Sequence, residues 1–118
     1  MKPVSPRYPT YVIYEGYDRA LALESVGQGW APLINEVFDY MEKNPSPTKV
    51  IQVKEKFGGL RVYTDVMDDG LDTIIRSVGK RSFEVCEDCG KPGALRSGGW
   101  YRTLCDEHAG NRPKIEPF

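Results

Sequence analysis

Long apolar runs, a second histidine and a fourth cysteine are all missing from this chain of 118 residues. No apolar stretch approaches the roughly 20 residues that a membrane-spanning helix needs, so we expect no membrane association. The N-terminal residues lack the apolar core of a secretory signal. We therefore expect a reducing cytoplasm, such as that of a bacterium.

The single histidine limits the catalytic chemistry that the chain can support. A metalloprotease carries H-E-x-x-H and a zinc deaminase carries H-x-E, and neither pattern occurs in the sequence. Asp68 and Asp69 are paired carboxylates in front of a predicted helix, where capping of the helix N-terminus explains them better than catalysis. A nuclease of the HNH type ranks last, because His108 is needed as a metal ligand. We expect a non-enzymatic protein without a small-molecule substrate.

The three cysteines and the histidine are spaced as the ligands of a tetrahedral zinc ion. Cys86 and Cys89 form a C-x2-C pair, and after fifteen residues Cys105 and His108 form a C-x2-H pair. An odd number of thiols argues against a set of disulfide bonds. Because four protein ligands leave no open position for water, the sequence predicts one structural zinc ion rather than a catalytic one.

The residues around these ligands predict a compact metal-binding unit. Lys91-Pro92-Gly93 favours a turn after the first ligand pair, and residues 94–96 and 100–104 are predicted as two short strands around a glycine turn. A short helix is predicted to begin at Cys105 and to stop after one or two turns at Gly110. A knuckle, a hairpin and a ligand-bearing helix start together resemble a treble-clef zinc finger.

The rest of the chain predicts an α+β fold. Residues 11–14 favour a strand, residues 18–24 a short helix, residues 30–43 an amphipathic helix, residues 49–66 a β-hairpin and residues 71–80 a second amphipathic helix. The predicted architecture is a small sheet with a β-hairpin packed on one or two helices, plus a C-terminal treble-clef-like zinc finger. We expect an α+β core over residues 1–82 and a zinc-binding subdomain over residues 83–118 that packs on it.

The predicted hairpin has one apolar face and one basic face. With Gly58-Gly59 as its turn, Phe57 would pair with Leu60, and Lys56 would lie directly across from Arg61. Like charges in opposite positions cost stability unless an anion or an acidic partner offsets them. The basic face is a candidate partner-binding surface, and a merely solvated sheet face is the alternative. Its candidate binding residues are Lys54, Lys56, Arg61 and Tyr63.

Two classes of partner fit the sequence. The net charge of −1 gives no overall attraction to nucleic acid, so we favour a protein partner, with Trp100 and Tyr101 as candidate binding residues. Trp100 could equally cover the zinc site. The alternative is a nucleic-acid-binding zinc finger that uses Arg96 and Arg102 on phosphates, together with Lys91, Arg112 and Lys114, while Trp100 or Tyr101 stacks on a base.

The chain resembles a family of small bacterial and bacteriophage proteins with a C-terminal Cys/His zinc knuckle. The resemblance covers residues 27–109 and rests on a G-x-G-W entry to a helix (Gly27, Gly29, Trp30), on the run VKEKFGGLRVY from Val53 to Tyr63, and on CEDCGKPG followed by GGW and TLCDEH. It implies a bound zinc ion and a phage or mobile-element setting, and the compartment of a phage-encoded protein would be the host cytoplasm. As a separate hypothesis, we expect the protein to bind or inhibit a host protein. It implies no established activity and no catalytic residues.

Overall fold

The computed structural model of the protein describes residues 16–115. The elements follow in this order: α1 (Arg19–Glu24), a 3-10 turn (Gln28–Trp30), α2 (Ala31–Lys43), β1 (Val50–Lys56), β2 (Gly59–Thr64), α3 (Asp69–Ser82), β3 (Ala94–Arg96), β4 (Arg102–Leu104) and α4 (Asp106–Ala109). The two hairpins form separate antiparallel sheets, β1-β2 and β3-β4. The predicted α+β class, with a hairpin packed on helices, is confirmed. The predicted strand over residues 11–14 lies outside the described residues.

The core lies between α2, α3 and the first hairpin. Helix α2 buries Leu33, Ile34, Val37 and Phe38, which recur at helical spacing and form the apolar face expected from the sequence. Val50, Val53 and Leu60 of the hairpin and Leu71 and Val78 of α3 belong to the same buried cluster. None of the helices within residues 16–115 is both long enough and apolar enough to cross a membrane.

Asp68 caps the N-terminus of α3. Its Oδ1 accepts a hydrogen bond of 3.0 Å from the Leu71 N–H, one of the donors that the first helical turn leaves without a helical partner. The structural explanation of Asp68 is therefore confirmed. Helix α3 begins at Asp69, two residues before the predicted start, and extends two residues beyond the predicted end at Lys80.

The predicted register of the first hairpin is wrong. Glu55, not Phe57, pairs with Leu60, and Lys54, not Lys56, lies across from Arg61. The two-residue turn is Phe57-Gly58, and both residues have positive φ, +53° and +86°. This is the backbone pattern of a two-residue hairpin turn whose twist matches that of the strands.

Two apolar residues near the ends of the predicted strands, Phe57 and Val66, are exposed to solvent rather than packed on the core. Phe57 lies in the turn and is 58% exposed, and Val66 lies beyond the end of β2 and is also exposed. A bulge between Val50 and Gln52 changes the alternation, so Val50 and Val53 are both buried. The like-charge pair expected on the exposed face is present, but it is formed by Lys54 and Arg61.

Candidate metal centre

Two separate turns bring the four predicted ligands together. Cys86 and Cys89 lie on a tight turn closed by a hydrogen bond of 2.8 Å from the Gly90 N–H to the Cys86 carbonyl, and Gly90 has φ +84°. Cys105 is the N-cap of α4, and His108 lies within this short helix. The ligand atoms of all four residues are within 4.8 Å of one another, so the group could hold a metal ion.

The distances between ligand atoms fit a tetrahedral zinc site. A tetrahedron with Zn–S bonds of about 2.3 Å and Zn–N bonds of about 2.0 Å has S···S edges of roughly 3.8 Å and S···N edges of roughly 3.5 Å. The sulfurs of Cys89 and Cys105 are 3.7 Å apart. The Nδ1 atom of His108 lies 3.7 Å from the Cys86 sulfur and 3.3 Å from the Cys105 sulfur. One ion at the centre would reach these four atoms without a large rearrangement.

The surroundings of Cys89 and Cys105 shift the pKa values of these two thiols in opposite directions. The Lys91 N–H donates to the Cys89 sulfur and favours its thiolate, but partial desolvation and the neighbouring thiols raise the pKa of Cys89 overall. Burial opposes ionisation of Cys105, but hydrogen bonds from the His108 main chain and ring outweigh it and lower the pKa of Cys105 to about 6. The hydrogen bond to Cys105 in turn raises the pKa of His108. A metal ion that binds here replaces protons on these groups.

Solvent reaches the site from one side. Cys86 and Cys105 are buried, whereas Cys89 and His108 are exposed. The buried pair fixes the site within the fold, and the exposed pair gives a path for the ion to enter. A metal ion held by all four ligands would have no open position for a reacting water.

Charged residues inside the first ligand pair fix the second hairpin. Glu87 is buried; its carboxylate accepts hydrogen bonds from the Thr103 N–H at 3.0 Å and from the Arg102 guanidinium, which also contacts Asp88 at 2.8 Å. Burial raises the pKa of Glu87, although the Thr103 N–H and the Arg102 charge oppose this shift. Glu87 was not among the predicted site residues, although an acid between two cysteine ligands is a visible signal in the sequence.

Arg96 also contacts neighbouring groups in the metal region. It is 6% exposed, its Nε donates to the Leu104 carbonyl at 3.2 Å, and its guanidinium pairs with Asp106 at 2.9 Å. Arg96 and Arg102 were both predicted as partner-binding residues. Their contacts fix β3 and β4 to the ligand loop and to α4, which is a structural role.

The glycines of the G-x-G-W motif pack directly on the ligand turn. A β-carbon on Gly29 would lie 2.1 Å from the Cys86 carbonyl oxygen, and one on Gly27 would lie 2.2 Å from the Glu87 carbonyl oxygen. The Gly29 N–H donates to Glu87 at 2.9 Å, and the indole N–H of the fully buried Trp30 donates to the Val85 carbonyl at 2.8 Å. The segment that leads into α2 therefore packs directly against the turn that carries Cys86 and Cys89.

The tips of both hairpins carry exposed aromatic rings. Phe57 and Tyr101 meet edge to face with centroids 6.4 Å apart, and the Lys56 amine lies 5.7 Å from the Phe57 ring centre. Trp100, the next residue along the chain, is 65% exposed, and the Arg112 guanidinium lies 4.9 Å from its ring centre. We call these five residues the aromatic surface. Phe57 was not among the predicted binding residues, and Arg112 was predicted only as a phosphate contact in the nucleic-acid alternative.

The remaining candidates lie on the exposed face of the first hairpin. Arg61 and Tyr63 are exposed, and Lys54 and Lys56 are partly exposed. The structure brings Lys54 and Arg61 into opposite positions, whereas Lys56 lies opposite Gly59 next to the turn. Lys56 is thus part of the aromatic surface, while the partner-binding role of this face stays a prediction.

No family model, curated protein or solved structure matched the chain in the comparisons.

Proposed function

We propose that this protein is a non-enzymatic interaction module in which one structural zinc ion holds an aromatic binding surface in place. Zinc is the metal of choice because three thiolates and one imidazole at tetrahedral spacing suit it. The order of turn, hairpin and short helix supports a treble-clef-like zinc finger as the description of residues 83–118.

The observation that carries the proposal is the exposure of large rings on rigid turns. Phe57 is 58% exposed and Trp100 is 65% exposed. The turn that carries Phe57 is held to the metal region, because the buried Thr103 hydroxyl donates to the Gly58 carbonyl at 2.7 Å. Exposed aromatic side chains on a fixed backbone lose little conformational entropy on binding, and such residues dominate protein interfaces.

A protein partner is better supported than nucleic acid. Of the cations predicted to contact phosphates, Arg96 and Arg102 pair with acidic residues of the chain. Lys91 lies 3.7 Å from Glu107. A nucleic-acid groove would need such cations free to face the phosphates.

The test is capture of partners from a bacterial lysate by immobilised zinc-loaded protein. We expect a Phe57→Ala, Trp100→Ala double variant to bind the captured protein at least about tenfold more weakly, as at an interface hot spot. Met67→Ala is the control, because Met67 is an equally exposed apolar residue outside the aromatic surface. Equal capture by all three proteins, or no capture by the wild type, would contradict the proposal.

Nuclease treatment and a salt series separate the nucleic-acid alternative. Binding that depends steeply on salt and disappears with nuclease would make nucleic acid the partner.

The setting is proposed from the sequence resemblance alone. We propose a phage or mobile-element protein of the small zinc-knuckle family that acts in a bacterial cytoplasm, where it binds or inhibits a host protein. A partner of host origin in the capture experiment would support this setting, and a partner encoded beside the protein itself would contradict it.

A further inference from the structure

A groove of about 540 Å³ lies between β2 and α3, away from the aromatic surface. Its apolar lining is formed by Leu60, Val62, Ile75 and Phe83. Val62, Ile75 and Phe83 remain partly exposed. The groove is thus an apolar slot that residues 16–115 leave unfilled.

One wall of the groove is the outer edge of β2. The Leu60 N–H donates to the Ser82 hydroxyl at 2.9 Å, so it points away from β1. Because main-chain groups alternate in direction along a strand, the N–H and C=O of Val62 point the same way. Helix α3 covers the edge at Leu60, but within residues 16–115 no loop or side chain is hydrogen-bonded to the Val62 main chain. This part of the edge can accept another strand.

Charge is the second feature of the groove. Arg61, Arg76 and Lys80 line it together with one acid, Glu84. Arg76 pairs with Asp72 on its own helix at 2.7 Å, whereas Arg61 and Lys80 have no ion pair within the described part of the chain. Lys54 lies across from Arg61 on the neighbouring strand and adds to the positive charge. The groove is basic although the whole chain has a net charge of −1.

We propose that this groove binds an extended acidic segment of a partner protein. The segment adds as a strand to β2 at Val62, places apolar side chains against Ile75 and Phe83, and places carboxylates beside Arg61 and Lys80. Main-chain hydrogen bonds give the affinity, and the cations select an acidic sequence. A second copy of this chain fits poorly, because pairing two β2 edges would bring the cations of both copies together.

The experiment selects binders from a library of random short peptides displayed on a carrier, with zinc-loaded protein as the target. We expect the enriched peptides to alternate apolar and acidic residues. Binding of an enriched peptide should weaken at least about tenfold in an Arg61→Glu, Lys80→Glu variant, and it should weaken with salt. A Lys43→Glu, Lys49→Glu variant is the charge-matched control, since both residues are exposed and lie outside the groove.

N-methylation of alternate peptide amides tests strand addition separately from charge. A methylated peptide should lose binding when the methyl groups fall on the amides that face β2, and it should retain binding when they fall on the other set.

Three outcomes would overturn the proposal. They are a selection that enriches no peptide, enriched peptides that bind the groove variant as well as the wild type, and peptides that lose binding only in the Phe57→Ala, Trp100→Ala variant. The last outcome would assign the peptides to the aromatic surface and leave the proposed function intact. Conversely, loss of partner capture in that double variant alone does not bear on the groove.

Discussion

Gly29 lies where the segment that leads into α2 packs against the turn of Cys86 and Cys89. Only a residue without a β-carbon fits in this contact. Its α-carbon packs so closely on the ligand turn that a methyl group would lie 2.1 Å from the Cys86 carbonyl oxygen and 2.6 Å from the Gly90 nitrogen. Both obstacles are main-chain atoms, which cannot move aside as a flexible side chain can. The close approach of the segment that leads into α2 to the candidate metal site therefore requires glycine at position 29.

We predict that Gly29→Ala destabilises the protein by at least about 2 kcal/mol, the scale of an overpacked buried contact. The measurement is chemical unfolding of the zinc-loaded protein. Gly79→Ala is the matched control, because its β-carbon would meet only the Leu60 carbonyl oxygen at 3.4 Å, an ordinary contact. In the middle of a helix this change should be neutral or stabilise by up to about 1 kcal/mol. Equal effects of the two substitutions would contradict the proposed packing.

The ligands could be predicted from the sequence, but the residues that support them could not. Cys86, Cys89, Cys105 and His108 are recognisable because metal geometry restricts spacing along the chain. The role of Gly29 depends on a contact with residues almost sixty positions away, which no local pattern encodes. The same holds for the Arg102–Glu87 pair, since a surface arginine and a paired one look alike in a sequence.

Among the elements, the first hairpin is the one whose register the sequence pattern did not determine. Turns at Gly58-Gly59 and at Phe57-Gly58 keep the same residues of β1 and β2 on the same two faces. Alternation of apolar and polar residues therefore could not distinguish the two registers. A positive φ is unusual for phenylalanine, so the glycine pair was the better sequence signal, and the structure adopts the other turn. Helix α2, with a long apolar stripe, presented no such ambiguity.

A bidentate ion pair holds α2 and α3 together. The two terminal guanidinium nitrogens of Arg81 each lie 2.7 Å from an oxygen of the Glu36 carboxylate. The hydrogen bonds from Arg81 lower the pKa of Glu36. A carboxyl group with a lowered pKa stabilises the fold above its unfolded pKa, and this contribution disappears as the pH falls through the folded pKa.

We predict that Glu36→Gln lowers the free energy of unfolding at neutral pH by about 0.5 kcal/mol, as expected for a pair that is nearly half exposed. The difference from wild type should shrink as the pH falls below about 4, where the unfolded carboxyl and then the folded one are protonated. Chemical unfolding curves of both proteins, from neutral pH to below about 4, measure this difference in unfolding free energy. Glu24→Gln is the control, because Glu24 has no ion pair within residues 16–115. A difference that is constant with pH would exclude the ion pair as its source.

At the scale of the whole molecule, the metal site and the core are expected to unfold together. The buried residues Cys86, Leu104, Cys105 and Ala109 form a small apolar cluster next to the candidate metal site, separate from the helical core cluster. The contacts of Gly29, Trp30 and Thr103 nevertheless connect the two. The predicted division into residues 1–82 and 83–118 stays a prediction, and these contacts join the two parts.

We predict that a chelator or the substitution Cys89→Ala unfolds at least the region from β3 to α4 and lowers the melting temperature. Structural zinc contributes roughly 10–16 kcal/mol in small peptides, which is comparable with the total stability of about 5–15 kcal/mol of a domain. Thermal melting followed by circular dichroism measures the effect. Glu107→Ala is the control, because Glu107 is exposed and next to a ligand. An unchanged melt of Cys89→Ala would contradict a structural metal.

The most direct test of the account is a titration of the metal-free protein with cobalt(II), followed by zinc. Cobalt in a tetrahedral site with three thiolates gives intense visible bands and sulfur charge-transfer bands, and zinc displaces it because it prefers this ligand set. We predict that the cobalt bands saturate at one equivalent of cobalt and disappear on addition of one equivalent of zinc. In His108→Ala and in Cys89→Ala, we predict the loss of both the visible bands and the charge-transfer bands. Weak bands typical of six-coordinate cobalt, or no bands at all, would contradict the zinc-held surface on which the proposed function depends.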